Sequence, residues 1–378
     1  MNLSKRATQI EPSRTARFIP AMAELRRQGR EVINFAVGEP DFPTPRRIIE
    51  ATQKAMAEGH TRYGPTAGLP ELRRCIARRF AGGSAENIVI TNGSKQALYL
   101  IFQAICDPGD QVIIPSPCWV SFPEQVRLAG AEPVMVASLG HRLDAGAVAA
   151  AVTPRTRAVL VNSPNNPTGA VYTEDELAAI VALCMEKDLF LLSDEAYDAF
   201  VYDGGRHVSP FDWTGARDRV IVTRSFSKPF AMTGFRVGYA AAPVEVARAM
   251  EKILSHASGN VCTFVQHGAL AALEIEETLM PNLLARMSRR RDIAYGLASN
   301  LFDCLRPEGA FYLFADISGR LKTGETAEAF CMGVLDKTGV AMVPGEAFGA
   351  PGFVRISYAV AEDRIGDGFE RIRKFLQD

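Results

Sequence analysis

The chain has 378 residues, a length that favours two domains at about 150 residues per domain. Its 42 Lys and Arg residues nearly balance its 43 Asp and Glu residues, so no global charge attracts nucleic acid or an anionic membrane. Hydrophobic residues make up 47% and charged residues 22%, which excludes the disordered and fibrous classes.

Apolar runs of strand length alternate with segments of helical period, a pattern typical of crossover units and a largely parallel sheet. Helices are expected from Pro70, which opens a first turn, from Ser94, and from Thr173, which forms a capping-box pattern with Glu176. The predicted strands are 87–91, 111–115, 132–136, 158–162, 189–194, 219–225 and 236–241.

The sequence pattern changes near residue 282, where a long basic helix is predicted, followed by predicted strands at 310–315 and 353–358. This pattern predicts a smaller α+β domain. We therefore expect a large domain over 39–281 and a small domain formed by 1–38 and 282–378. The first 35 residues carry no strand of the main sheet, so we expect them to pack on the small domain or on a neighbouring subunit.

The seven cysteines are scattered without a CxxC pair, and the five histidines lack paired metal spacing, so we expect no metal site. The N-terminus lacks the apolar core of a signal peptide, and no run reaches the roughly 18 apolar residues of a membrane span. These features predict reduced cysteines and a cytoplasmic location.

Ligands of a parallel α/β sheet bind beyond the carboxyl ends of the strands, and four predicted strands end in polar residues. The first strand passes through Gly93 and Ser94 into a helix, a turn whose free amides suit a phosphate but which is also common without one. Asp194 ends a buried apolar strand, where it either caps a helix or balances a cationic ring nitrogen. Tyr197 follows three residues later as a phenol donor.

Lys228 follows another apolar strand and lies among phenylalanines. Poor solvation lowers the pKa of an amine and makes it a nucleophile toward aldehydes, whereas a solvated loop lysine is the alternative. Arg236 could close on a phosphate beside Ser225 and Ser227. Asn166 lies between two prolines, which fix the direction of its amide or simply stiffen a turn.

Together these strand ends supply a phosphate cradle, a ring counter-ion, phenol and amide donors and a Schiff-base lysine, the set that suits pyridoxal phosphate. On these residues the chain resembles the class I aminotransferases of the aspartate aminotransferase fold, in particular the bacterial aspartate aminotransferase branch. The matching motifs are GEPDF at 38–42, Tyr63 with GPTAGLPEL at 64–72, GSKQAL at 93–98, DPGD at 107–110, NNPTG at 165–169, DEAY at 194–197, SFSK at 225–228, MTG at 232–234 with Arg236, and VRISY at 354–358.

The resemblance implies an α/β fold with a mostly parallel seven-stranded sheet between helices and a smaller α+β domain. It implies that Lys228 bonds pyridoxal 5'-phosphate and later moves the α-carbon proton of the substrate. Asp194 would keep the ring nitrogen protonated, Tyr197 and Asn166 would bond the ring oxygen, and Trp119 would stack on the ring. The phosphate would be held by Gly93, Ser94, Lys95, Ser225, Ser227, Arg236 and the Tyr63 of a second subunit, which implies a homodimer.

The same resemblance implies which residues bind the α-carboxylate of the substrate. Arg355 would bind the α-carboxylate, helped by Asn166 and the Gly38 backbone, with Trp119 beside them. Independently, an arginine inside the apolar strand 353–357 needs an anion, either a ligand or a structural salt-bridge partner.

The resemblance implies that three further residues bind the side chain of the substrate. Lys95, Ser13 and Thr15 match positions that meet acidic side chains in the resembling branch, which favours aspartate or glutamate with 2-oxoglutarate, or another dicarboxylate such as prephenate.

Other readings stay open at this point. The enzyme could transaminate aromatic or other neutral substrates, since the departures at Cys118, Phe122, Pro229 and Phe235 touch the wall above the ring. A pyridoxal-phosphate-dependent β-lyase could use the same cradle. A non-catalytic binding module is the third alternative, although the Lys228, Asp194 and Arg355 set would then have no purpose.

Overall fold

The computed structural model describes residues 3–12 and 18–377. In this part of the chain the strands are β1 (Ile33–Asn34), β2 (Ile88–Thr91), β3 (Gln111–Ser116), β4 (Glu132–Ala137), β5 (Thr156–Asn162), β6 (Phe190–Asp194), β7 (Val220–Ser225), β8 (Gly238–Ala241), β9 (Asp303–Cys304), β10 (Tyr312–Asp316), β11 (Val340–Ala341), β12 (Val343–Pro344) and β13 (Phe353–Ser357).

The helices surround these strands. They are α1 (Lys5–Gln9), α2 (Phe18–Arg27), α3 (Arg46–Ala57), α4 (Pro70–Ala77), α5 (Ser94–Ile105), α6 (Ser121–Leu128), α7 (Ala145–Ala150), α8 (Glu174–Glu186), α9 (Val244–Ala257), α10 (Thr263–Ala298), α11 (Ala327–Thr338) and α12 (Glu362–Phe375). Short 3₁₀ helices lie at Ala85–Asn87, Leu139–His141, Pro210–Asp212, Ser318–Arg320 and Gly345–Phe348.

The main sheet has seven strands in the order β2-β8-β7-β6-β5-β3-β4. All its pairs are parallel except those of β8, which runs antiparallel to β2 and β7. The mostly parallel seven-stranded sheet is therefore confirmed. The seventh strand begins two residues later than expected because Arg236 has φ +55°, a left-handed conformation that a strand cannot contain.

Both faces of this sheet are covered by helices, as the continuous apolar runs of its strands require. On one face α5, α6 and α9 pack over side chains such as Val112 and Leu160. On the other face α3, α4, α8 and the first half of α10 cover the alternate side chains, such as Ile113 and Val159. The carboxyl ends of the parallel strands are left free to carry a site.

A second core lies outside this sandwich. The antiparallel sheet β12-β13-β10-β9 packs with α11, α12 and the second half of α10. Phe18, Met22 and Leu25 of α2 are buried in the same core, and β1 pairs with β11 rather than with the main sheet. The expectation that the early residues pack on the small domain is confirmed for α2 and β1, whereas α1 contacts α6 of the large domain.

The expected start of the basic helix near residue 282 is wrong. The helix α10 runs unbroken for 36 residues from Thr263, and it contains Pro281. Its first half packs on α3 and α4 through small side chains such as Ala269 and Ala272, and its second half packs on α12. Tertiary packing at both ends thus overrides the cost of a proline inside a helix, which is about 3 kcal/mol in an isolated one.

We propose that the two domains divide at 38/39 and 281/282. Met280 is the point on α10 where side chains pack against both cores, which supports this division. The stretch from Ala196 to Tyr202 belongs to the large domain by sequence but packs in the core of the small one. Within the described residues, no helix is both long and apolar enough to cross a membrane.

Candidate active site

A cavity of about 520 Å³ opens at the carboxyl ends of the main-sheet strands, where the small domain faces them. It gathers most of the side chains that the sequence singled out. The predicted residues that line it are Gly38, Ser94, Lys95, Trp119, Asn166, Asp194, Tyr197, Ser225, Ser227, Lys228, Arg236 and Arg355.

One end of the cavity has the features of an anion cradle. Gly93 precedes α5 with φ +78° and offers no side chain to cap the helix. Because Ser94 and Lys95 of the first turn line the cavity, the positive end of the helix faces it. A Cβ at Gly93 would lie 2.7 Å from Nη2 of Arg236, which only glycine avoids. Arg236 donates to the carbonyls of Thr233 and Asn92, and Ser225 and Ser227 complete this end.

Asp194 lies at the end of β6 and is buried. Its Oδ1 accepts hydrogen bonds from the Ala196 amide at 3.1 Å and the Thr223 hydroxyl at 3.2 Å, and neither donor carries charge. Burial consequently raises the pKa of the Asp194 carboxyl to about 7. A cation placed in the cavity would stabilise its ionised form, as a protonated ring nitrogen does.

Lys228 follows β7 and donates from Nζ to the Gly38 carbonyl at 2.5 Å. Burial is the main cause that lowers the pKa of its ammonium to about 8. More of this amine is therefore neutral near physiological pH than in an ordinary lysine, and the neutral form can attack an aldehyde. The prediction of a poorly solvated lysine, rather than a solvated loop lysine, agrees with this environment.

Tyr197 donates or accepts a 2.7 Å hydrogen bond with the hydroxyl of Tyr312. Burial, reinforced by Tyr312, raises the pKa of Tyr197 well above its ordinary value, so its proton stays available for donation. Tyr312 was not predicted as a site residue because a tyrosine in the apolar run of β10 reads as core. Its position opposite the arginine-bearing strand β13 is visible only in the sheet register.

Arg355 is buried on β13, with its guanidinium 4.3 Å from the centre of the Tyr312 ring. It donates to Oδ1 of Asn166 at 2.8 Å and to the Ala36 carbonyl at 3.1 Å, while its Nε has no hydrogen-bond partner. Both acceptors are neutral, so the structural salt bridge that the sequence left open is not formed with any described residue. A buried guanidinium of this kind favours an anionic ligand.

Lys95 lies at the mouth of the cavity, with its Nζ 4.8 Å from the centre of the Trp119 ring. Burial, with a further contribution from Arg236, lowers the pKa of its ammonium.

Among the described residues, the predicted Gly93 and Tyr63 do not line this cavity. Tyr63 is 97% exposed. Ser13 and Thr15 lie outside the described residues. The cavity also contains Glu39 and Thr233, which sequence analysis missed because each lies beside a stronger motif residue.

The donor set of the cavity fits pyridoxal phosphate. The cradle offers amides and a guanidinium for a phosphate, and Asp194 is a buried carboxylate with neutral partners that a ring cation would pair. Lys228 supplies an amine that is already partly neutral. The fit rests on complementary charges at separate places in one cavity.

Comparison with known proteins places the chain in a family. A family model described as aminotransferase class I and II matches residues 30–372. A probable aspartate/prephenate aminotransferase of Aquifex aeolicus is 42% identical over 389 residues, which cover 100% of this chain and 99% of the relative. The aspartate aminotransferase of Geobacillus stearothermophilus is 38% identical, with 100% of this chain and 99% of the relative covered.

Solved structures agree with this placement. The aspartate aminotransferase of Thermus thermophilus with maleate superposes with a TM-score of 0.94 at 40% identity, and 99% of each chain is covered. The fold and the cavity together define an α/β enzyme of the aspartate aminotransferase fold. The chain belongs to the class I and II aminotransferases, and it is a transaminase, which moves an amino group between an amino acid and a 2-oxo acid.

Proposed function

We propose that this transaminase uses pyridoxal phosphate, attached at Lys228, and prefers dicarboxylic amino acids. One observation carries the proposal: a single cavity contains a lysine with a pKa near 8, a buried carboxylate with neutral partners and a buried guanidinium with neutral partners. Each group lacks the ligand that its charge requires.

The chemistry follows from these groups. Pyridoxal phosphate, when bound, supplies an aldehyde for an amine and a ring that accepts electrons from the substrate's α-carbon. Once the substrate amine has displaced it, Lys228 would take the proton from that α-carbon and deliver it to the cofactor carbon on the other side of the shared nitrogen, so that water could release the 2-oxo acid and leave the amino group on the cofactor. Asp194 holds the proton on the ring nitrogen, and Tyr197 donates to the ring oxygen.

The remaining cavity residues hold the two ligands in place. Trp119 would stack on the ring, and Asn166, whose Oδ1 accepts from Arg355, would bond the ring oxygen. The phosphate is held by Gly93, Ser94, Lys95, Ser225, Ser227 and Arg236.

Arg355 binds the α-carboxylate of the substrate with its planar fork, beside the backbone of Gly38. Lys95 pairs with a second carboxylate at the cavity mouth, and an apolar side chain would leave its ammonium desolvated without a partner. The names of the relatives, aspartate and aspartate/prephenate aminotransferases, support an acidic substrate. Ser13 and Thr15 stay predictions for the same end of the substrate.

The working unit is proposed to be a homodimer. Tyr63 would complete the phosphate cradle of the second subunit, and its 97% exposure within one chain supports this role. The cytoplasmic location stays a prediction, supported by seven cysteines that are all free thiols.

An absorbance experiment tests the cofactor and the substrate together. The protein is loaded with pyridoxal phosphate and scanned after single additions of L-aspartate, L-glutamate, L-phenylalanine and L-alanine, and Lys95→Met is treated in the same way. We expect the acidic pair alone to convert the bound aldehyde form to the amine form, and Lys95→Met to lose that preference. Conversion by phenylalanine or alanine alone would remove Lys95 as the specificity residue, and no bound chromophore would overturn the cofactor assignment.

A further inference from the structure

Residues 35–44, which we call the crossing segment, link the small domain to the large one past the cavity. The segment contains no helix or strand. Its first residues are tied to β13, since the Phe35 carbonyl accepts from the Ser357 amide at 2.8 Å and the Ala36 carbonyl accepts from Arg355 at 3.1 Å. The start of the segment therefore follows the small-domain sheet.

The middle of the crossing segment touches the loop that carries Lys228. The Gly38 carbonyl accepts from Lys228, and the carboxylate of Glu39 accepts from the Thr233 hydroxyl at 2.8 Å. The hydroxyl of Thr44 donates to the Ala231 carbonyl at 2.6 Å. The position of Gly38 thus affects both the lysine and the place where a substrate carboxylate meets Arg355.

Between Glu39 and Thr44 the crossing segment is also held from α10. Asp41 forms a two-point ion pair with Arg290, with N–O distances of 2.7 and 2.9 Å. The Arg290 side chain is 7% exposed and that of Asp41 is 29% exposed, so the pair is partly shielded from water. The guanidinium of Arg286 lies 4.9 Å from the centre of the Phe42 ring beside it.

We propose that Asp41 and Arg290 are positioning residues for the transamination site. Neither side chain lines the cavity. A two-point arginine–carboxylate contact fixes orientation as well as distance, and here it fixes Asp41 in an irregular segment, three residues after the Gly38 whose carbonyl accepts from Lys228. The pair thereby sets where Gly38 lies between Lys228 and Arg355. This inference rests on the proposed function, because that function makes those two groups act on one substrate.

The test compares variants of the loaded enzyme. Asp41→Asn removes the pairing carboxylate, and the double variant Asp41→Asn with Arg290→Met removes both charges, so no buried cation is left alone. The matched control is Glu362→Gln, because the neighbouring Arg289 makes a similar contact with Glu362 on the exposed side of α10. Each protein is assayed for kcat and KM with L-aspartate and 2-oxoglutarate per cofactor-loaded subunit, and for Tm.

We expect kcat/KM to fall at least about tenfold in both Asp41 variants, since displacements near 1 Å at a reacting centre cost up to about 10². Cofactor loading should stay complete because the cradle residues lie on other elements. Asp41→Glu, which keeps the carboxylate, should recover part of the loss, and the control should match the wild type.

Unchanged kcat and KM per loaded subunit in the double variant would overturn the proposal, even if its Tm fell, since the pair would then be merely structural. Wild-type rates are measured first. A wild-type protein that takes up no cofactor would overturn the proposed function and this inference with it, whereas an active wild type with unaffected variants overturns the inference alone.

Discussion

Replacement of Arg355 by methionine separates a ligand-binding arginine from a structural one. Of the five N–H donors of a guanidinium, two are used here on the neutral acceptors Asn166 and Ala36. The remaining donors suffice for a two-point contact with a substrate carboxylate. Two charge-assisted hydrogen bonds at about 1.5–3 kcal/mol each amount to about 3–6 kcal/mol, or about 10²–10⁴ in kcat/KM.

The effect on stability should be small. Arg355→Met loses two hydrogen bonds of a charged group, at about 1.5–3 kcal/mol each, but it also removes a buried cation that has no counter-ion and whose desolvation costs several kcal/mol. Because the two effects oppose each other, the free energy of unfolding should change by less than about 2 kcal/mol. Arg224→Met is the contrasting variant, because Arg224 pairs with the fully buried Glu195 at 2.8 Å. Loss of that partner should cost about 3–5 kcal/mol.

The assay combines steady-state kinetics with urea unfolding of the loaded proteins. Arg355→Lys, which keeps the charge but not the planar fork, should fall between the wild type and Arg355→Met in kcat/KM. The reasoning is refuted if Arg355→Met keeps its kcat/KM while it loses as much stability as Arg224→Met.

Three further outcomes follow from the same site. Burial lowers the pKa of Lys228 to about 8, so the rate at which the cofactor-free protein binds pyridoxal phosphate should rise about tenfold per pH unit below pH 8 and level off above it. Stopped-flow absorbance measures this rate, and a rate that does not change with pH would contradict a desolvated amine. Burial raises the pKa of Asp194 to about 7, so the folded cofactor-free protein keeps a proton that the unfolded chain releases near pH 4. The free energy of unfolding should therefore fall as the pH rises from about 4 to about 7. Asp194→Asn should lack that loss in pH-dependent unfolding and should turn over at least about 10²-fold more slowly, and an unchanged kcat would exclude Asp194 as the ring partner. When the Tyr63→Ala and Lys228→Ala proteins are mixed, unfolded and refolded together, hybrid dimers should form in which one of the two sites has both native side chains, so activity should return. If no activity returns, Tyr63 does not contribute to the site of the partner subunit.

The sequence predicted the main sheet and most of the cavity because both depend on local signals. Continuous apolar runs mark buried parallel strands, and the residue that follows each run lies at the ligand-binding edge. Asp194 and Lys228 were found in this way from their positions alone. The roles of Trp119 and Tyr63 came only from the family resemblance, since an exposed tyrosine carries no signal of its own.

The parts that were missed depend on contacts between distant residues. A long helix was expected to begin near residue 282, but packing on α3 at one end and α12 at the other keeps α10 continuous from Thr263. Tyr312 lies 115 residues from Tyr197 in sequence and meets it only through the tertiary fold, which no local pattern encodes. The ion pair between Asp41 and Arg290 joins residues 249 positions apart.

The central claim is that Lys228 is the residue that carries the cofactor in this cavity. The loaded protein is reduced with borohydride, digested and mapped by mass spectrometry, with Lys95, the other lysine of the cavity, as an internal comparison. We predict that the reduced cofactor is found on the peptide of Lys228 and that Lys228→Ala yields no labelled peptide. Label on Lys95 or on any other lysine of the wild-type protein would contradict the account.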